Sequence, residues 1–265
     1  MATVHTLYEN IVLENKFTSL LNTELETRGL MELDYSLAES AGLRKTINKY
    51  TYTGSVEKLA KGAKNTTKGV VTFVPVHHDV ERFQSTVEFN DMDVMQDPNI
   101  IEVSMRGEVD LQTNKINDLY FAELAKISNT GTWAKDTTFS YDTVVDALAT
   151  INREVEEGMF IIMNNAQRAE IRKDPDFKAS RQGEILYKGQ FGDISGLPVL
   201  FSKLVPVNTV YITAKDQIKF FVKAEGSVEQ DRDIETKDNT VVYERHGVIA
   251  LVDDTKSIKL TQATA

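Results

Sequence analysis

Hydrophobic and polar residues change their rhythm several times along the 265 residues, and each change marks a different kind of element. Residues 1–42 are acidic and weakly amphipathic. Leu7, Ile11, Leu21 and Leu25 fall near helical spacing there, and Arg28-Gly29 supplies a stop. The segment reads as an arm more than a core helix. From Leu43 the residues favour β structure: one run covers 47–53, another 70–76, and the polar stretch between them carries Gly54, Gly62 and Gly69. This pattern predicts a long hairpin. It continues into a third β run over 80–89 with no intervening helix, which is too long for a compact hairpin. The ribbon is expected to project.

Asp97-Pro98 then announces a helix, with a capping carboxylate followed by proline at a position where the missing N–H costs nothing. Ile101, Met105, Val109, Ile116, Leu119, Tyr120, Leu124 and Ile127 recur at threes and fours, with Glu102, Arg106, Glu108, Asp110 and Lys115 between them. Ser128 to Gly131 ends this long helix. A second helix begins at Ser140, with Phe139 and Val144 spaced as a hydrophobic staple, and Gly158 closes it. Residues 159–163 are wholly apolar, the pattern of a strand buried on both faces. Asn164 caps a third helix to Lys173, which Asp174-Pro175 stops. A loop over 176–192 precedes short strands at 199–202, 209–213 and 219–222, and from Gly226 a β tail covers 228–234, 240–252 and 257–260. The fold class is α+β, without internal repeats.

A content of 41% hydrophobic and 26% charged residues suits one or two closely joined domains with a real core. With no cysteine, disulfides, thiolate metal sites and a cysteine nucleophile are excluded. The first ten residues lack the basic start and apolar run of a signal peptide, and no stretch nears the roughly 20 apolar residues of a membrane span. A chain neither exported by that route nor embedded is expected. The net charge of −10 should repel nucleic acid from most of the surface. Basic residues are nevertheless concentrated: Arg44, Lys45, Lys49, Lys58, Lys61, Lys64 and Lys68 stand against Glu57 alone, so this segment carries +6 and the remainder −16.

Catalytic chemistry is poorly represented. His77 and His78 are adjacent, but neighbours on a strand point to opposite faces and cannot easily ligate one ion. Asp231, Asp233, Glu235 and Asp238 begin like a calcium loop, yet Thr236 and Val242 stand where glycine and glutamate are required, so a solvated acidic strand is the better reading. There is no nucleophile elbow, phosphate-binding loop or dinucleotide fingerprint, and Gly62 to Gly69 lacks the strand-to-helix context of a phosphate cradle. An enzyme is not expected, and neither cofactor nor metal is called for. The lysine-rich tip reads as a solvated face or as a contact with an acidic surface.

The order of elements and several short motifs resemble the major capsid proteins of tailed bacteriophages, which have the Hong Kong 97 fold. The motifs are Leu7-Tyr8-Glu9-Asn10, Asp34-Tyr35-Ser36-Leu37-Ala38-Glu39, Gly192-Asp193-Ile194-Ser195-Gly196-Leu197-Pro198-Val199, Glu229-Gln230-Asp231-Arg232-Asp233, Asn239-Thr240 and Val248-Ile249-Ala250-Leu251-Val252-Asp253. The resemblance implies an N-arm over 1–42, an E-loop hairpin over 43–80, a P-domain with spine helix over 81–127, an A-domain over 128–225 and returning P-domain strands over 226–265.

It also implies function. The chain would self-assemble as hexamers and pentamers into an icosahedral head enclosing DNA, built in the bacterial cytoplasm, without sequence-specific DNA binding and without a membrane. Some family members carry about a hundred further N-terminal residues as an internal scaffold. Here the arm is expected to begin almost at Met1, so by analogy the resemblance implies a separate scaffolding protein, together with a portal and a decoration protein. Lys58, Lys61, Lys64 and Lys68 would be intersubunit contacts at the E-loop tip. Residues 1–35 and 225–245 each carry −4, so acidic surface is on offer to them. An encapsulin-like cellular compartment and a tail or baseplate protein are the alternatives.

Overall fold

A long helix and two sheets organise the chain, whose structure, a computed structural model, describes residues 10–151, 158–175 and 193–264. Helix α1 (Asn10–Arg28) leads through β1 (Glu32–Asp34) to the hairpin β2 (Arg44–Thr53) and β3 (Val70–Asp79), then β4 (Glu81–Asn90), the short α2 (Asp91–Gln96) and α3 (Ile100–Leu124). Next come β5 (Thr130–Trp133), α4 (Tyr141–Ile151), β6 (Met159–Met163), α5 (Asn165–Lys173), β7 (Asp193–Ile194), β8 (Leu197–Phe201) and β9 (Thr209–Ala214). The long pair β10 (Ile218–Arg232) and β11 (Asp238–Leu251) and a last strand β12 (Ile258–Gln262) complete the order. The strands form a sheet β1-β10-β11-β4, a second sheet β5-β12-β9-β6-β8-β7, and the separate pair β2-β3.

The α3 stripe lies as its spacing predicts. Ile101, Met105, Val109, Ile116, Tyr120 and Leu124 are buried in the main core, joined by Phe121. Asp97 does not cap this helix as expected: the N-cap is Asn99, two residues further on, and Asp97 accepts from the Asn99 N–H at 3.0 Å with its carboxylate and from the Ile100 N–H with its carbonyl. Glu108, set among the solvent-facing residues by its polarity, is buried, as are Gln112, Thr113 and Asn117. Gln112 Nε2 donates to Ser85 Oγ at 3.1 Å and to the Tyr243 carbonyl at 3.2 Å, tying the helix to the four-stranded sheet.

The first helix is a core element within the chain, contrary to its reading as an arm. Leu13, Phe17, Leu21 and Leu25 are all buried, four residues apart, whereas Ile11 is exposed. Phe17 stacks on Tyr243 with ring centroids 5.0 Å apart. A Cβ at Gly226 would lie 2.6 Å from the Phe17 ring, so that glycine admits α1 to the sheet; it does not mark a boundary. Strand β10 accordingly runs through position 226, with irregular register on either side of Ala224.

Strand β6 is buried at all five positions, as its composition predicts. Phe160 and Ile162 enter the main core, while Met159, Ile161 and Met163 enter a second one with Trp133, Phe139 and Val144. Asn164 caps α5 through Ala166 N at 3.1 Å. The end of the helix begun at Tyr141 and the loop over 176–192 lie outside the described residues; Gly158 has φ +76°. Strand β12, expected with the returning strands over 226–265, does not join β10 and β11 in the four-stranded sheet. It is inserted between β5 and β9, because Ile258 and Leu260 on its one face fill the second core.

Candidate assembly surface

The hairpin is paired without interruption from Arg44↔Asp79 to Thr53↔Val70, a ribbon about 30 Å long at the usual strand rise. Its base is fixed to the body. Ile47 is buried against Leu37, Phe221, Val248 and Ala250, and Lys45 places its ammonium 4.4 Å from the centre of the Phe221 ring while donating to Ser36 Oγ. Lys49 meets Asp254 at 3.8 Å. Burial raises the Asp254 pKa, but the Ser128 hydroxyl and the Lys49 ammonium outweigh it and hold the carboxyl below its ordinary range.

The two histidines lie on opposite faces. His77 Nδ1 is 2.9 Å from Thr46 Oγ1, whereas His78 is partly buried towards Glu123 and Lys126, and that burial pushes its pKa down.

Beyond the base the ribbon has no cover among the described residues. Tyr50 (68% exposed), Tyr52 (70%) and Phe73 (59%) stand open, with Val71 and Val74. Tyr50 and Phe73 are cross-strand partners with centroids 6.0 Å apart. The Tyr52 ring lies across Gly54 and Gly69, where a Cβ would come within 2.6 Å and 2.5 Å of its hydroxyl. Glycine at both positions therefore lets the ring close the mouth of the tip. Within the tip, Glu57 accepts from Thr66 N at 3.1 Å, Thr66 Oγ1 at 2.9 Å and Thr67 Oγ1, which together lower its pKa, the Thr67 hydroxyl most. The one acidic residue of this segment is thus a loop brace. Lys58, Lys61, Lys64 and Lys68 are all exposed around it, with Val56 and Leu59 exposed beside them.

An acidic counterpart sits at one end of the four-stranded sheet, where the β10–β11 turn meets α2. Arg232 pairs with Asp91, and Asn239 Nδ2 donates to Asp91 at 2.7 Å, so the Asp91 pKa is lowered, by Asn239 first. Asp231, Asp233, Glu235 and Asp238 remain exposed here; Asp233 accepts from Glu235 N at 2.8 Å, which makes it a turn brace. Met92, Met95 and Ile234 are more than three-quarters exposed at the same end. Sequence reasoning found the acidic run but missed these methionines, since α2 is too short to show a periodicity.

Solved shells contain the same architecture. The fold matches the capsid of a native GTA particle with TM-score 0.72 at 12% identity, over 100% of this chain and 94% of that one. It matches the capsid of the cyanophage P-SCSP1u with TM-score 0.70 at 12% identity, over 89% and 87%. A virus-like particle from Pyrococcus furiosus gives 0.56 at 11% identity, over 93% and 98%. The fold is therefore that of the Hong Kong 97-type shell proteins. The major capsid protein of Staphylococcus phage phiMR11 is 23% identical over 262 residues, 96% of this chain and 93% of that protein. The family described as phage capsid protein matches residues 73–260, and the chain belongs to it.

Proposed function

We propose that the chain is the major subunit of a phage head and assembles as hexamers and pentamers into a closed icosahedral shell around DNA. The observation that carries this is the β2–β3 ribbon, anchored at its base and exposing aromatic residues along its outer half. Contiguous exposed apolar surface of this kind marks an interaction site. In a closed assembly of identical chains the neighbouring copy is always present to cover it.

Its tip and the acidic sheet end are matched in two respects, lysines against carboxylates and Val56 and Leu59 against Met92, Met95 and Ile234. We assign Lys58, Lys61, Lys64 and Lys68 to an intersubunit contact with that end of a second copy. We assign 43–80 to the E-loop and 81–127 to the P-domain with spine helix, and residues 1–42 to an N-arm whose helix α1 packs on the P-domain sheet of its own chain; β12 moves to the A-domain. The role is structural, assembly occurs in the host cytoplasm, and a scaffolding protein, a portal and a decoration protein are partners.

Charge reversal tests the contact. Single exposed ion pairs contribute up to about 1 kcal/mol, so the triple variant K58E/K61E/K64E is the informative one. Light scattering should show wild-type assembly weakening with salt, as the Debye length falls from roughly 10 Å at 0.1 M to about 3 Å at 1 M. The triple variant should assemble poorly at low salt. Equal assembly of both proteins there would make these lysines a merely solvated face.

A further inference from the structure

A cleft of about 290 Å³ opens where the C-terminal half of α3 meets the six-stranded sheet. Leu30, Phe121, Ile162 and Leu204 contribute apolar walls, and Asn117 and Ser202 are the polar lining. Ser202 is engaged: its N–H donates to the Met163 carbonyl at 3.1 Å and its Oγ accepts from Leu204 N at 3.2 Å. Asn117 is not. It is 2% exposed, and neither Nδ2 nor Oδ1 has a hydrogen-bond partner among the described residues. Buried polar groups are nearly always paired, and a carboxamide offers a donor and an acceptor side by side. Its complement is another amide.

Charge narrows the ligand further. No charged side chain lines the cleft among the described residues, and Arg168 nearby stacks its guanidinium over the Phe201 ring at 4.1 Å. A phosphate, carboxylate or ammonium would lose its hydration there and gain no countercharge from the lining. The volume is nearly twice that of a cavity of roughly 150 Å³ known to hold benzene, so one ring with a polar substituent fits.

We propose that this cleft binds a neutral apolar group carrying one amide, whose N–H is accepted by Asn117 Oδ1 and whose carbonyl accepts from Asn117 Nδ2. Two sources offer this chemistry: a free small primary amide, or the carboxamide of an asparagine or glutamine side chain presented by a neighbouring copy, since a trans peptide group points its N–H and carbonyl in opposite directions. The second rests on the shell reading, whereas the site itself does not.

The test titrates unassembled chain with benzamide, followed by protein NMR, with toluene and benzoate as controls. Benzamide should bind, toluene more weakly, and benzoate not at all. In Asn117→Leu, benzamide should lose roughly tenfold in affinity, the usual scale for hydrogen bonds lost in an apolar site. Toluene should still bind that variant, which also reports that it folds with the cleft intact. Should it not fold, Leu204→Trp fills the cleft beside an intact Asn117 and should abolish benzamide binding. No benzamide binding to the wild type, or undiminished binding to either variant, overturns the site. Assembled particles then separate the sources. Benzamide bound by subunits but excluded from particles assigns the amide to a neighbouring copy, and binding to both assigns it to a free ligand. Failure to form particles would count against the shell reading and leave the subunit result standing.

Discussion

Phe17 and Gly226 show how one side chain decides where a whole segment goes. The ring fills the space that a Cβ at Gly226 would occupy, and it reaches Tyr243 behind it. Phe17→Ala should cost about 3–5 kcal/mol as a cavity and Gly226→Ala about 1–3 kcal/mol as overpacking. Combined, they should cost clearly less than the sum, since the alanine at 17 makes room for the one at 226. Urea unfolding of the four proteins checks this, and strict additivity would show that the two residues do not share the space.

Tyr243 gives a pH signature. Burial first, and the Glu108 carboxylate second, push its pKa up to about 12. A phenol whose folded pKa is raised contributes its full stability below the unfolded value near 10 and loses it as pH climbs towards 12. Stability measured by urea should therefore fall over that window. Tyr243→Phe should flatten the decline, with a residual slope from Tyr120, whose phenol burial also raises. An unchanged slope in the variant would place the ionisation elsewhere.

Among the elements, legibility followed the strength of the local pattern. The α3 stripe, the all-apolar β6 and the Asn164 cap were plain because periodicity, composition and capping chemistry each act within one element. The hairpin was plain as an outline, and its lysines lie exposed at the tip as read. What failed was partnership over long range. Helix α1 reads as weakly amphipathic because the apolar Ile11 and Val12 lie exposed, off the buried stripe of Leu13, Phe17, Leu21 and Leu25, and the sheet that covers that stripe comes two hundred residues later. Strand β12 gave no sign of which sheet it would enter. Polar residues such as Asn117 could not be recognised as buried, since nothing nearby in sequence encloses them. The ribbon makes an element-scale prediction: deleting residues 56–68 beyond its anchored base should leave the folded circular dichroism spectrum and the thermal midpoint nearly unchanged, because projecting loops carry little core. Assembly should fail. Loss of the folded spectrum would mean that the tip holds the subunit together.

At the scale of the whole molecule, charge and exposed apolar surface divide between two distant places. A basic tip with Val56 and Leu59 lies at the end of the ribbon, and an acidic sheet end with Met92, Met95 and Ile234 lies on the body. Neither covers the other within one chain, and repetition over many copies turns individually weak contacts into a stable lattice. Complementary charge would set the register of neighbours and the rate at which they meet. Electron cryomicroscopy of particles assembled from the purified chain examines this directly. The map should show closed shells in which each β2–β3 ribbon crosses to an adjacent copy and sets its lysine tip against the β10–β11 turn and α2 of that copy. Ribbons that fold back on their own subunit or end free in solvent would contradict the account.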